Sequence, residues 1–533
     1  MPKQNFPSYT NQNVAKIERP DLPRTRFSEI QNYKTMCDSG KLIPFLTEEV
    51  LPGDLWQVRT SAFARLQTQL VPFMDNIYMD MHYFFCPNRL VWDNWRAFCG
   101  EREDPADDPT TYTVPIVTCP AGGYAEESVY DYMGLPTKIT NVDINALPLR
   151  AHNLIHKTWF RDQNIIDGSD YPVNNASNGP DTDTDYTINR RGKRADFFTS
   201  ALPWPQKGSA ISISLGTSAD VLGLGKVNQT FAGTGPYTVY ETGQSSSSSF
   251  ADGSGISNVG NEVHMTEEDP NNSGYINLKA DLTNAIASTV NDLRDVFAYQ
   301  QAFEIDARSG TRYNEWIAGH WGVNHPDINW RPLFLNYSSA TLYQNPVPNT
   351  SDTASFKQGH LSSYGEFAEG SSGFQYAATE HGWIIAYISF RADLTYSQGI
   401  HRKWRRSVRN DYYLPVFDGL GERAVRTDEL YFNNDSNDSV TFGYVPEWNE
   451  YRYGHSLHTG ALRHNYTGTL NKWHLGQEFS SAPTLSQTFI EETPPVSRVV
   501  AVTTEPEFVV DISMQRNVTR IMSMFGTPGL SRL

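Results

Sequence analysis

From Trp383 to Phe390 the chain reads WIIAYISF, and both of its alternating faces are apolar. Trp383, Ile385, Tyr387 and Ser389 fall on one face of a strand, and Ile384, Ala386, Ile388 and Phe390 on the other. Such a strand needs cover on two sides, which places it in a sandwich or a closed barrel, since an open sheet would wet one face. A second long strand is predicted over Asp75 to Phe85. There Ile77, Met79, Met81, Tyr83 and Phe85 share one face, Tyr78, Asp80, His82 and Phe84 share the other, and Pro87-Asn88 ends the run. The turn signal Leu51-Pro52-Gly53-Asp54 precedes a strand over Leu55 to Phe63. Shorter strands are expected at Val114 to Thr118, Thr441 to Val445, Val499 to Thr503 and Phe508 to Ser513.

Helical spacing is clearest in Lys279 to Glu304, through Leu282, Ile286, Val290, Leu293 and Phe297, where a helix packed on the sheet is predicted. Shorter helical patterns cover Leu90 to Phe98, the stretch between Asn145 and Asp162, and Asn314 to His320. Residues 1–40 are polar and proline-punctuated, an extended arm of the kind that orders between chains. In 209–277 Ser, Gly, Thr and Asn replace large core residues, so this stretch reads as a surface insertion. Patterned pieces at Ala210 to Leu215 and Tyr237 to Glu241 give it a few strands of its own.

Length alone suggests roughly three or four domains, although large β folds with long insertions depart from that prior. The 43 Lys and Arg against 60 Asp and Glu give a formal charge of −17, which excludes a general coat of positive charge. Any nucleic-acid contact must come from local patches. Aromatic residues at 13%, with 31 Pro and 38 Gly, point to a β-rich, loop-rich protein with extensive contact surfaces. No secretory h-region opens the sequence, and no membrane-length apolar run occurs in it. Cys37, Cys86, Cys99 and Cys119 form no C-x-x-C pair and are expected as reduced thiols.

Two basic clusters stand out. Arg402, Lys403, Arg405, Arg406 and Arg409 surround Trp404 without an intervening acid, and Tyr412 and Tyr413 follow. Arg190, Arg191, Lys193 and Arg194 precede Phe197 and Phe198 in the same basic-then-aromatic order. Cations beside aromatic rings suit single-stranded nucleic acid, with charge on the phosphates and rings on the bases. A face whose arginines pair with carboxylates elsewhere is the alternative, and a nuclear-targeting reading of the 190–194 cluster ranks lower. His152 and His156 stand four apart but lack the Glu of H-E-x-x-H and a third ligand, and His320 and His325 fit no common metal site. Asp181, Asp183 and Asp185 lack the glycine and closing glutamate of a calcium loop, and read as a mobile acidic turn. No metal site, cofactor or catalytic set emerges. The acid pairs Glu366/Glu369 and Glu447/Glu450 keep a glycan-binding or glycan-hydrolysing β-sandwich as the rival reading.

The segments MDNIYMDMHYFFCPNRLVWDNWRAFCGE, RRGKRADFFTSALPWPQKG, ARSGTRYNEWIAGHWGV, EHGWIIAYISFRADLTYSQG and GYVPEWNEYRYGHSLHTG occur in this order between Leu51 and the carboxyl end. Together they resemble the major capsid proteins of Microviridae, in the gokushovirus branch of small single-stranded DNA phages. The resemblance implies a mainly β fold, an eight-stranded viral jelly-roll sandwich with long, partly helical loop insertions. In that frame 41–533 form one capsid domain, and 209–277 resemble the family's variable insertion, placed at the threefold axes and tied to host attachment. The resemblance further implies assembly through pentamers into a T=1 icosahedral shell around a circular ssDNA genome. Its implied partners are minor virion, scaffolding and DNA-packaging proteins and a host surface receptor, with no membrane insertion. The expected location is the virion, assembled in the cytoplasm of a bacterial host.

Overall fold

Two antiparallel sheets face each other in a computed structural model of the chain. It describes residues 22–102, 111–209, 211, 290–326, 329–353 and 357–526, and the backbone of short strands between 220 and 281. One sheet holds β1 (Arg24–Cys37), β3 (Leu55–Gln69), β6 (Tyr343–Pro348), β7 (Leu361–Ala377) and β11 (Phe508–Ile521), in the order β1-β11-β3-β7-β6. The other holds β2 (Ile43–Val50), β4 (Ile77–Pro87), β5 (Leu333–Thr341) and β8 (Gly382–Ala392), in the order β5-β4-β8-β2. β9 (Glu422–Arg426) and β10 (Thr441–Pro446) pair with each other outside both sheets. With the extra edge strand β6 set aside, two four-stranded sheets remain, and the fold is the jelly roll that the resemblance implies.

The two sheets differ in how they meet water, and the sequence pattern follows that difference. In β3 the inward Trp56, Val58, Ala62, Ala64 and Leu66 are buried, while Arg59, Ser61, Phe63 and Arg65 between them are exposed. In β4 and β8 both faces are covered. Ile384, Ala386, Ile388 and Phe390 join Met79, Met81, Tyr83 and Phe85 in the core between the sheets. On the outer face Phe84, Ile385 and Tyr387 pack against Leu147, Ala151 and Ile155 of helix α1 (Leu147–Ile155) and against Val91 and Trp92. The double apolar pattern of WIIAYISF therefore records a third, partly helical layer outside the second sheet. Phe390 and Phe508 close one part of the inner core, with rings stacked at 3.9 Å and only 2° apart in plane.

Several expectations shift in register or type. Within the expected arm, Arg24–Cys37 form β1, paired residue for residue with Ile521 back to Phe508; residues 1–21 lie outside the described residues. Leu90 to Phe98 makes two short turns, Asn88–Val91 and Trp95–Phe98, because Trp92 between them is extended. Its buried ring donates Nε1–H to Asn178 at 2.9 Å. The apolar run Val499 to Thr503 is not a strand. Val499 and Val500 instead plug the core, with a single bridge from Val500 to Gln69. Asp181 is no mobile turn, since it pairs with the fully buried Arg150 at 2.7 Å.

The chain divides into two compact units, Met1–Pro205 with Ser309–Leu533, and Gln206–Arg308. In the second, Tyr237–Glu241 is a strand as expected, paired with Ser247–Phe250, whereas Ala210 to Leu215 falls outside the described residues except for 211. The long helix of this unit, α2 (Val290–Arg308), starts later than its hydrophobic spacing suggests. Lys279–Asp281 pairs as a strand with Asp220–Leu222, which draws that backbone out of helical geometry, and 282–289 lie outside the described residues. Asn314 to His320 lies within α3 (Tyr313–Trp321) of the first unit, closed by the left-handed Gly322. All four cysteines are free thiols, and among the described residues no helix is long and apolar enough to cross a membrane.

Phe390→Ala should lower the stability of the purified subunit by about 3–5 kcal/mol in urea unfolding. Ile30→Ser, on the uncovered face of β1 at 72% exposure, should change it by less than about 0.5 kcal/mol. Equal losses would contradict the assignment of one dry and one wet face.

Candidate nucleic-acid interface

The 190–194 cluster is clamped between two backbone segments, through bridges from Arg190 to Lys41 and from Gly192 to Glu491. That clamp turns most of its cations inward. Arg190 donates to the carbonyl oxygens of Ser39 and Glu492. Arg191 reaches the buried Asp80 on β4, which also binds Arg391 at 2.9 Å and accepts from Ser339 and Tyr337. Burial alone would raise the Asp80 carboxyl, but Arg191, Ser339 and Arg391 hold it down at about 2. Lys193 is buried with its ammonium 4.5 Å from the centre of the Phe489 ring, and burial lowers its pKa. It lines a cavity of about 640 Å³ together with Phe479, Phe489, Thr484 and Arg498. Only Arg194 reaches the surface, paired with Asp393 at 3.2 Å and stacked over Tyr78.

The 402–409 cluster divides by direction. Arg402 pairs with Glu429 at 2.6 Å, Arg405 with Asp428 at 2.8 Å and Arg406 with Glu450 at 2.8 Å. All three carboxylates are almost completely buried. Burial pushes Asp428 and Glu429 above the usual carboxylate range, against the pull of Arg405 and Arg402 respectively. Because Arg426 shares Asp428 with Arg405, a pocket of about 210 Å³ here holds more guanidinium than carboxylate charge. Lys403, Trp404 and Arg409 point the other way. Trp404 is 75% exposed with Lys403 5.4 Å from its ring centre, and neither Lys403 nor Arg409 makes an ion pair among the described residues. Tyr412 and Tyr413 are also exposed, with the Arg406 guanidinium 5.8 Å from the Tyr412 ring centre.

The sequence pattern of the capsid protein (F protein) family matches residues 15–530. The chain belongs to that family. This capsid protein is 38% identical over 536 residues to capsid protein VP1 of Bdellovibrio phage phiMH2K, covering 98% of each chain. It is 36% identical over 593 residues to capsid protein VP1 of Chlamydia phage 1, covering 99% of each. Capsid protein VP1 of Spiroplasma virus 4 is 30% identical over 542 residues, covering 96% of each. The resemblance to gokushovirus major capsid proteins is thereby borne out.

In the capsid protein three of the four acids in those pairs serve as ion-pair partners. Glu366 binds Arg65 at 3.0 Å, Glu447 binds Arg423 at 2.6 Å, and Glu450 holds Arg406. The histidines His152 and His156 are core groups, bonded to Tyr387 Oη and to the Arg190 carbonyl oxygen. Burial lowers them to about 3 and about 4. Sequence reasoning missed the carboxylates that neutralise the second cluster, since Glu429 and Glu450 lie 27 and 44 positions from their arginines. It also missed Glu492, fully buried beside Lys193, with Oε1 accepting the Ala392 N–H at 3.2 Å and Oε2 unpartnered.

Burial raises Glu492 to about 7, against the Ala392 N–H and the Lys193 charge. In the folded chain the group therefore stays protonated over a range in which the unfolded chain has lost its proton. The stabilisation is full below the ordinary glutamate pKa and is lost as pH rises through about 7. Glu492→Gln should match the wild type near pH 4 and exceed it at pH 8, by on the order of 3 kcal/mol. Parallel unfolding curves across that pH range would show that Glu492 ionises normally.

Proposed function

We propose that copies of this capsid protein close through pentamers into a T=1 icosahedral shell around a circular ssDNA genome. Genome contact falls on Lys403, Trp404 and Arg409. Support comes from the outward half of the 402–409 cluster, where an exposed indole stands among cations that no carboxylate of the described chain neutralises. Such a set can stack a base and meet the flanking phosphates. Arg402, Arg405 and Arg406 then act as internal ties that hold the platform. Arg190, Arg191 and the buried Lys193 likewise secure the wall, while Arg194 is a secondary contact. Exposed apolar side chains such as Trp330, Tyr343 and Val416 supply surface for subunit contacts. The 209–277 insertion serves host attachment, and minor virion, scaffolding and DNA-packaging proteins complete the particle in the bacterial cytoplasm.

Lys403→Ala with Arg409→Ala should reduce the slope of log K against log salt for a single-stranded oligonucleotide by about 1.4, two phosphate contacts at about 0.7 each. Arg406→Ala should leave the slope unchanged and destabilise the subunit by about 3–5 kcal/mol, because it strands the buried Glu450. An unchanged slope in the double variant would refute the contact. Particles lacking 212–274 should still assemble but fail to adsorb to host cells, and normal adsorption would refute the attachment role.

A further inference from the structure

Away from both clusters, Asp75, His458 and His474 bring three potential ligand atoms within 4.8 Å of one another. We propose that these residues form a zinc site that pins the 458–476 loop to the segment leading into β4. His474 is fully buried, and its Nε2 lies 2.7 Å from the Leu462 carbonyl oxygen. A carbonyl only accepts, so Nε2 carries the proton and Nδ1 carries the lone pair. This is the arrangement in which a backbone carbonyl fixes the tautomer of a metal-binding imidazole. The same Nδ1 now receives the Gly476 N–H at 3.1 Å, a contact that a metal ion replaces. His458 Nδ1 is buried without a hydrogen-bond partner. A packing role alone leaves that nitrogen desolvated and unpaired. Asp75 takes the Leu475 N–H on Oδ2, so Oδ1 is available for coordination.

The surrounding backbone is built close around these rings. At Gly476 a Cβ would collide with the imidazoles of both His458 and His474. Arg498 holds the carbonyl oxygens of His474 and Gly476 at 2.8 and 2.9 Å, and its charge is matched by Glu478 at 3.2 Å. The two rings are stacked at 3.7 Å with a tilt of 28°, and an imidazole nitrogen offers its lone pair in the plane of its own ring. Coordination therefore turns the His458 ring, which the exposed residues on either side of it permit. Two imidazole nitrogens and one carboxylate oxygen favour zinc over magnesium or calcium, and leave a fourth position to water.

The test uses the purified capsid protein, stripped with EDTA and then dialysed against zinc. Mass-spectrometric metal analysis should find about one zinc per chain. Wild-type unfolding should shift so that, at free zinc a hundred times the dissociation constant, the folded-to-unfolded ratio rises about a hundred-fold. His458→Gln should lose both the bound zinc and the shift. Wild-type protein that retains no zinc above background, or that unfolds identically in EDTA and in zinc, overturns the proposal whether or not the variant folds. Equal zinc content in wild type and His458→Gln overturns it as well.

Discussion

Burying a strand on both faces is the constraint from which most of this fold follows. β4 and β8 lie side by side, and each carries large apolar groups towards the facing sheet and away from it. The facing sheet answers the first need. The second is met by α1 and the turns around Trp92, which exist as a layer because Phe84, Ile385 and Tyr387 would otherwise meet water. The five-stranded sheet has no such obligation, and the alternation of β3 leaves its outer face polar and exposed.

Charge follows a similar division of labour. In and around the sandwich several guanidinium groups act as fasteners: Arg191 and Arg391 on Asp80, Arg150 on Asp181, Arg520 on Asp54. Each ties segments far apart in sequence, and each satisfies a carboxylate that could not be buried alone. An excess of acid in the composition therefore coexists with local cationic surface. Some of that acid, at Asp54, Asp80, Asp181, Asp428 and Glu450, is buried against arginines, while exposed Lys403 and Arg409 make no ion pair among the described residues.

Much of the sandwich was legible because strand period and burial are written locally. WIIAYISF and DNIYMDMHYFF carry their two-sided burial in consecutive letters. β1 was harder, since its polar residues and its pairing with β11 give no local signal of membership in a sheet. The Val499 run misled for the opposite reason, its apolar character serving as a plug at the sandwich end. In the basic clusters the residue types were readable but their directions were not. Whether an arginine faces outward depends on a distant carboxylate, and Asp428, Glu429 and Glu450 enter from other loops. The stacked His458 and His474 were illegible for the same reason, because only the fold brings them together with Asp75.

The pairing of β1 with β11 has a consequence for biosynthesis. β11 sits between β1 and β3, so the first sheet keeps an empty slot between those two strands until residue 521 has left the ribosome. At ordinary elongation rates that interval lasts on the order of tens of seconds. Throughout it the nascent polypeptide holds open edges on β1 and β3 and lacks one strand of its first sheet. A half-made subunit thus has an unfinished first sheet, and the sandwich closes only in chains whose translation has passed β11.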